Sequence, residues 1–349
     1  MPDPEKIKQF AGKVLGLYTG AMLTQLIYLG YKTGLFEASA KGAATSEELS
    51  ERAGLQERYV REWLAAMVTG GIYEYDPATR EYTLPEAHAV LLMGDHANNL
   101  CPHSQMITHF STHLPRMLEC FEQGGGIDYS EYRPGFTECM DDVWRRIFDD
   151  QLVSGFVSAV EGLEAKLQNG IRVLDIGCGT GHALNVLAQA YPQSTFVGYD
   201  IAEDAIAAAN TEAQVMGLQN VRFEVKDVTS LEGEKFELIT AFDAIHDQRE
   251  PETVLASVRD ALADNGTFLM IEFKFNSEVQ NNIGNPFAPM YYAFSLMHCT
   301  PVSLASGGPG LGACWGEQVA RETLGKVGFA EVEVIDSPRP QNYIFVCQR

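Results

Sequence analysis

The chain has 349 residues and a formal net charge of −22, from 25 Lys and Arg against 47 Asp and Glu. That length accommodates two domains or one enlarged domain, and the charge opposes nucleic acid or an anionic membrane over most of the surface. Seven scattered cysteines without a Cys-x-x-Cys pair, no basic and apolar leader in Met1-Pro2-Asp3-Pro4-Glu5-Lys6, and no apolar run of membrane-spanning length make a cytoplasmic setting the expectation.

The first region, about 6–95, opens on helical periodicity, with Leu23, Leu26, Ile27 and Gly30 on one face and Leu29, Leu35 and Phe36 near its end. Thr45-Ser46-Glu47-Glu48-Leu49 is a helix start with Thr45 or Ser46 as N-cap, and Gly54 stops that helix. A second helix, about 56–69, carries Val60, Leu64 and Met67 until Gly70-Gly71 breaks it. Two short strands, 72–75 and 81–84, flank an Asp76-Pro77 turn. Helix, turn, helix and hairpin make a winged-helix unit. Sequence-specific DNA binding would need phosphate-contacting Lys and Arg. Residues 45–75 offer only Arg52, Arg58 and Arg61 against six glutamates, so a dimerisation domain over 1–95 is favoured.

The second region, 96–166, reads as a helical linker and active-site cap, punctuated by Gly124-Gly125-Gly126 and Arg133-Pro134-Gly135. Cys101, His103, His109 and His113 lie close in sequence, with His109 and His113 one helical turn apart. A hydrogen-bonded histidine face is the better reading than zinc, and no metal is expected.

The third region, 167–349, holds the chemistry. Val173-Leu174-Asp175-Ile176-Gly177-Cys178-Gly179-Thr180-Gly181 is an apolar strand running into a glycine turn that opens a helix near His182. Glycine lets backbone approach a ligand closely there. The dinucleotide pattern Gly-x-Gly-x-x-Gly fails, because its third glycine falls on His182 or Leu184. Further apolar runs end in Asp200, Asp227 and Asp243. An acid at the second strand tip can accept from both ribose hydroxyls of a nucleoside, and one at the third from an exocyclic adenine amine. Four acids thus fall on the sheet edge where open α/β sheets bind ligands.

Together these motifs resemble the class I S-adenosylmethionine (SAM) methyltransferases. With the winged helix they resemble a bacterial group related to small-molecule O-methyltransferases, over nearly the whole chain. The resemblance implies an α/β, Rossmann-like sheet of seven strands, the last antiparallel, behind the N-terminal winged helix. It implies SAM as cofactor, held by Asp175, Gly177, Gly179, Gly181, Asp200, Ile201, Asp227, Val228, Phe242 and Asp243. It also implies a small-molecule acceptor and a homodimer, with no nucleic-acid or membrane partner.

His246 follows the fourth strand and is expected beside the methyl donor, where a neutral imidazole could act as general base; a structural histidine is the alternative. His298 is the competing candidate. It lies in an insertion, 274–315, rich in Pro, Gly and aromatic residues and expected to serve as a substrate lid. Tyr291, Tyr292 and Trp315 are expected to wall an apolar acceptor pocket. O-methylation is favoured over S-methylation of a thiol or sulfide; a SAM-responsive DNA-binding regulator is the alternative of another class.

Overall fold

The computed structural model describes residues 1–349. It divides into two compact units, Met1–Thr112 and His113–Arg349. The division falls inside the 96–166 segment: the helix Cys101–Ser111 stays with the first unit and the rest belongs with the sheet. No helix is long and apolar enough to cross a membrane.

The first unit begins with a long helix, Pro4–Lys32, followed by Leu35–Ser39, Ser46–Ala53 and Glu57–Thr69. Thr45 caps the third helix with a full capping box, its Oγ1 accepting from Glu48 N while Glu48 accepts from Thr45 N. Gly54, at φ 67°, ends it. Strands β1 (Glu74–Asp76) and β2 (Glu81–Thr83) form the wing. Phe36, Val60, Leu64 and Met67 build the core with Trp63, whose Nε1 donates to Leu26 O at 2.8 Å. Gly30 permits that packing, because a Cβ there would lie 2.6 Å from the Trp63 ring.

The second unit is built on β3 (Arg172–Ile176), β4 (Thr195–Asp200), β5 (Val221–Val225), β6 (Phe236–Phe242), β7 (Leu262–Phe273), β8 (Glu331–Asp336) and β9 (Asn342–Gln348). The strand order is β5-β4-β3-β6-β7-β9-β8, and only β9 runs antiparallel to its neighbours. The reversal between β3–β5 on one side and β6 on the other puts the switch point at the carboxyl ends of β3, β4 and β6. Near-continuous apolar runs in β3 and β6 follow from burial on both faces by helices.

The 274–315 insertion is mostly helical rather than an open loop, with Ala288–Phe294, a π-helical turn Ser295–Cys299 and Thr300–Ala305. Its aromatic residues supply the reason: Phe275 and Tyr291, with Ala288 and Cys314, form their own buried core.

Candidate active site

A cavity of about 520 Å³ opens at the switch point. One wall comes from the turns that follow β3, β4, β5 and β6, and includes Asp175, Gly177, Gly179, Asp200, Ile201, Asp227, Val228, Phe242 and Asp243. Gly177 and Gly179 have φ of 65° and 53°, conformations that favour glycine. A Cβ on Gly179 would meet nothing within 4 Å, so the chain there faces open space into which a ligand can come close. Gly181 differs. It is not in the cavity wall, and a Cβ on it would lie 2.5 Å from Phe223 and 2.7 Å from Ala209. Its expected cofactor contact is therefore corrected to a packing role, seating the helix His182–Ala190 against its neighbours.

The acids differ in what holds them. Asp200 Oδ2 accepts from Gly179 N at 2.9 Å and Oδ1 from Ala202 N at 2.8 Å, which ties the first turn to the second strand tip. Asp227 Oδ1 accepts from Thr229 N. Asp175 is buried, accepts from Thr240 Oγ1 at 2.6 Å, and is pushed by burial up to about 7. Asp243 sits at φ 49°, strained for a non-glycine residue. Its Oδ1 accepts from Asn342 Nδ2 at 3.2 Å, while its Oδ2 is buried without a partner. Burial, with repulsion from Glu272, raises it to about 8. Asp247, also in the wall, is pushed by burial up to about 6.

The other wall is supplied by residues that the glycine and acid motifs do not reveal. The short helix Tyr129–Tyr132, Arg133 just after it and the helix Gly135–Gln151 bring Tyr129, Arg133, Phe136, Asp141, Trp144 and Phe148. Trp144 and Phe148 stack on each other, with ring centroids 5.0 Å apart, and both meet the Phe242 ring edge to face. This helix is tied down by side chains. Thr180 Oγ1 donates to Asp141, Arg145 pairs with Asp141 and Glu212, and His182 reaches Asp149 at 2.9 Å and Glu212 at 3.0 Å. Burial opposes the charge on Glu212, but hydrogen bonds from His182, Asn185 and Arg145 outweigh it and hold the carboxyl at about 2. An alternation of Phe136, Trp144 and Phe148 with Asp141 and Arg145 was the available signal for this wall.

Neither candidate histidine is itself in the cavity wall, though each stands directly behind it. The His246 ring is buried between the wall residues Ala244 and Asp247 in the chain, and its Nδ1 lies 2.6 Å from Glu272 Oε2. Glu272, near the end of β7, also accepts from Trp315 Nε1 at 3.3 Å and Ile245 N at 3.3 Å. Burial pulls the His246 imidazole down, but the Glu272 carboxylate outweighs it and raises the group well above its ordinary value. A single acid in the apolar run Leu269-Met270-Ile271-Glu272-Phe273 marks Glu272 in the sequence, because an unpartnered buried carboxylate is rare. His298, in the π-helical turn, stacks on Phe136 with centroids 3.6 Å apart and meets Tyr132 edge-on at 4.8 Å.

Tyr291, Tyr292 and Trp315 do not wall this cavity. Trp315 is buried and serves Glu272; Tyr291 packs on Phe273, Phe275 and Phe294; and the Tyr292 hydroxyl accepts from Asn282 Nδ2 at 2.9 Å. They are corrected to core and second-cavity positions, because the insertion buries its own aromatic rings; Tyr291 borders a separate cavity of about 390 Å³. The insertion reaches the main cavity instead through Val302 and Ser306. No group of three or more His, Cys, Asp or Glu side chains is placed to share a metal ion.

The residues present fit SAM: an open glycine turn, a half-buried carboxylate at the second strand tip, and an unpartnered Asp243 oxygen able to meet a donor or a cation.

Comparison with known proteins is consistent with this geometry. Residues 167–305 match a family described as "Methyltransferase domain", and residues 21–93 one described as "Rv2258c-like winged HTH domain". An uncharacterised methyltransferase, YcgJ, of Bacillus subtilis is 32% identical over 103 residues, 29% of this chain and 40% of that protein. The match therefore spans well under two thirds of that relative. The mitomycin 7-O-methyltransferase MmcR shares the fold at a TM-score of 0.76 and 15% identity, over 99% of this chain and 100% of that one. The O-methyltransferase NcsB1 from neocarzinostatin biosynthesis, solved with SAM and 2-hydroxy-5-methyl naphthoic acid, aligns at 0.66 and 16%, over 93% and 95%. The chain thus carries a methyltransferase domain of the class I fold behind a winged helix-turn-helix domain.

Proposed function

We propose that this two-domain chain is a SAM-dependent methyltransferase that methylates a hydroxyl of a small molecule. The observation that carries the reading is the single cavity whose one wall is the glycine turn with Asp200, Asp227 and Asp243, and whose other wall is aromatic. Asp175, Gly177, Gly179, Asp200, Ile201, Asp227, Val228, Phe242 and Asp243 would hold SAM. Bound there, SAM supplies an electrophilic methyl group on a sulfonium.

The chain's own contribution is placement and proton handling. The aromatic wall of Phe136, Trp144 and Phe148 excludes water and aligns a flat acceptor; alignment alone is worth several kcal/mol and up to about 7–11 in ideal cases. His246 is the better base candidate. Glu272 at its Nδ1 orients the ring and stabilises the imidazolium that forms, while Cys299 hydrogen-bonds the same buried ring and must give way for it to reach a hydroxyl proton. A carboxylate-oriented imidazole suits an alcohol or phenol, whereas a thiol ionises readily and needs less help; this favours O-methylation over S-methylation.

The N-terminal domain suits pairing of two subunits better than DNA binding. The helix Pro4–Lys32 exposes Ile7, Phe10, Leu15, Leu17, Tyr18 and Met22, and the arginines of the helix Glu57–Thr69 are already paired, Arg58 with Glu62 and Arg61 with Glu57. Residues 96–166 then act as linker and cap.

The test is a panel of phenols, carboxylates and thiols incubated with methyl-labelled SAM and followed by mass spectrometry. Labelled phenol products support the reading. No labelled product, together with a low-salt electrophoretic shift that depends on SAM, would favour the regulator instead.

A further inference from the structure

One arginine of the second unit is treated differently from the rest. In a chain of net charge −22, every other arginine of that unit except the C-terminal Arg349 pairs with a carboxylate. Arg339, half-buried in the loop between β8 and β9, is in no ion pair. Its guanidinium lies over the Trp144 ring instead, 4.8 Å from the centroid. Trp144 is in the cavity wall, so this charge stands behind the surface against which a flat acceptor would pack.

The loop presents Arg339 on stiff, fastened backbone. Pro338 and Pro340 flank it and restrict the chain on both sides. Its N–H donates to Ser337 Oγ at 3.1 Å, and its carbonyl accepts from Asn342 N at 3.1 Å. Asn342 ties the loop to the sheet edge through Asp243. Pro338 ties it to the helix wall: it packs on Gly155, in the π-helical turn that continues that helix, where a Cβ would lie 2.9 Å from the proline.

The charge reaches the cavity and is not cancelled there. Burial raises Asp243, a wall residue, to about 8 against the pull of Arg339. At neutral pH Asp243 therefore leaves most of the guanidinium charge uncompensated. Asp247 is the nearer objection to an anion; burial pushes it to about 6, and its charge is met by the pull of His246 beside it. Arg133, with its Nε buried and unpartnered, is a second cation of the wall. It is paired with Asp204 and acts on Asp200, at the ribose end. A carboxylate laid against Trp144 would meet Arg339 in surroundings where such an attraction is stronger than in water.

We infer that Arg339 is a specificity-determining residue, whose guanidinium behind Trp144 favours a flat acceptor carrying an acidic group over its neutral counterpart. The inference rests on the proposed function and names the charge class of the substrate for that same site.

The test uses the full chain, titrated with SAM by calorimetry and then saturated with S-adenosylhomocysteine. Two matched probes follow: a hydroxynaphthoic acid with its carboxyl on the ring remote from the hydroxyl, and the primary amide of that acid. The acid is expected to bind about tenfold tighter than the amide, the yield of one charge-assisted hydrogen bond. That preference should shrink as salt is raised. Arg339→Gln should remove most of it, and Arg339→Lys, which keeps the charge, should retain more of it; thermal melting shows that both variants fold. An acid that binds no tighter than the amide overturns the inference. So does an equal loss for acid and amide in Arg339→Gln, which would mean that the arginine only steadies Trp144. If that variant does not fold, a parent preference that salt leaves unchanged overturns it instead. SAM binding without an acid preference sinks this inference alone; no SAM binding sinks the proposed function with it.

Discussion

The two walls of the cavity are built by different means. The sheet-edge wall is held by backbone: Gly179 N and Ala202 N fix Asp200, and positive φ values shape the turn around Gly177 and Gly179. The helix wall, Gly135–Gln151, is held by side chains: Asp141, Arg145, Asp149, His182 and Glu212, several of them partly exposed. Backbone hydrogen bonds at strand ends leave little freedom, so the first wall is rigid and suits a fixed cofactor. Ion pairs between long side chains are weaker and titratable, so the second wall is the more adjustable of the two.

The comparison can be broken most sharply through the base. His246→Ala should cut turnover by about 10²–10⁴ with SAM affinity nearly kept. In the parent enzyme, turnover should rise with pH as the imidazolium loses its proton, with a midpoint above the ordinary histidine value, because Glu272 raises it. The loss in the variant should shrink at high pH, where a phenol ionises unaided. His298→Ala should instead lower the melting temperature, since its ring packs between Phe136 and Tyr132. Those kinetic signatures appearing in His298→Ala would reverse the assignment.

Next in size, the glycines of the first wall should separate packing from ligand approach. Gly181→Val should destabilise the fold by about 3 kcal/mol, through its positive φ and its clash with Phe223 and Ala209. Gly179→Ala should cost about 1 kcal/mol of backbone strain and weaken SAM more than it weakens the fold. Urea unfolding and calorimetry on both variants measure the contrast; equal effects on both quantities would remove the distinction.

Asp200→Ala should weaken SAM by about ten- to a hundredfold, the loss of charge-assisted hydrogen bonds. Unchanged affinity would mean that the ribose contact lies elsewhere.

A smaller effect follows from charge alone. Asp175 and Asp243 are raised by burial to about 7 and about 8. Their contribution to folding is fully present below about pH 4, where unfolded carboxylates protonate, and is lost as pH rises through 7 and 8. Melting temperature should therefore fall over that window, and Asp243→Asn should flatten the fall. The smallest effect belongs to the helix wall: Asp149→Asn, at a half-exposed partner of His182, should cost no more than about 1 kcal/mol.

The sheet and its ligand edge were legible because their determinants are local. Glycine spacing, apolar runs and strand-terminal acids specify turn conformation and strand ends within a few residues, as did the helix start at Thr45 or Ser46 in the winged helix. What escaped was whatever depends on which elements meet. Gly181 carries the same local signal as Gly179, yet only the positions of Phe223 and Ala209 decide that it packs rather than faces the cavity. Tyr291, Tyr292 and Trp315 read as pocket wall because an exposed and a buried aromatic residue look alike in sequence. The fold turns them inward and puts Phe136, Trp144 and Phe148, from an upstream helix, in the place they were expected to fill. The partner of His246 lies 26 residues on, at Glu272, and is set by the pairing of β6 with β7. Local backbone preference acts over one turn of chain, whereas burial and pairing act across the fold; the first determined the sheet edge, and only the second decided what stands opposite it.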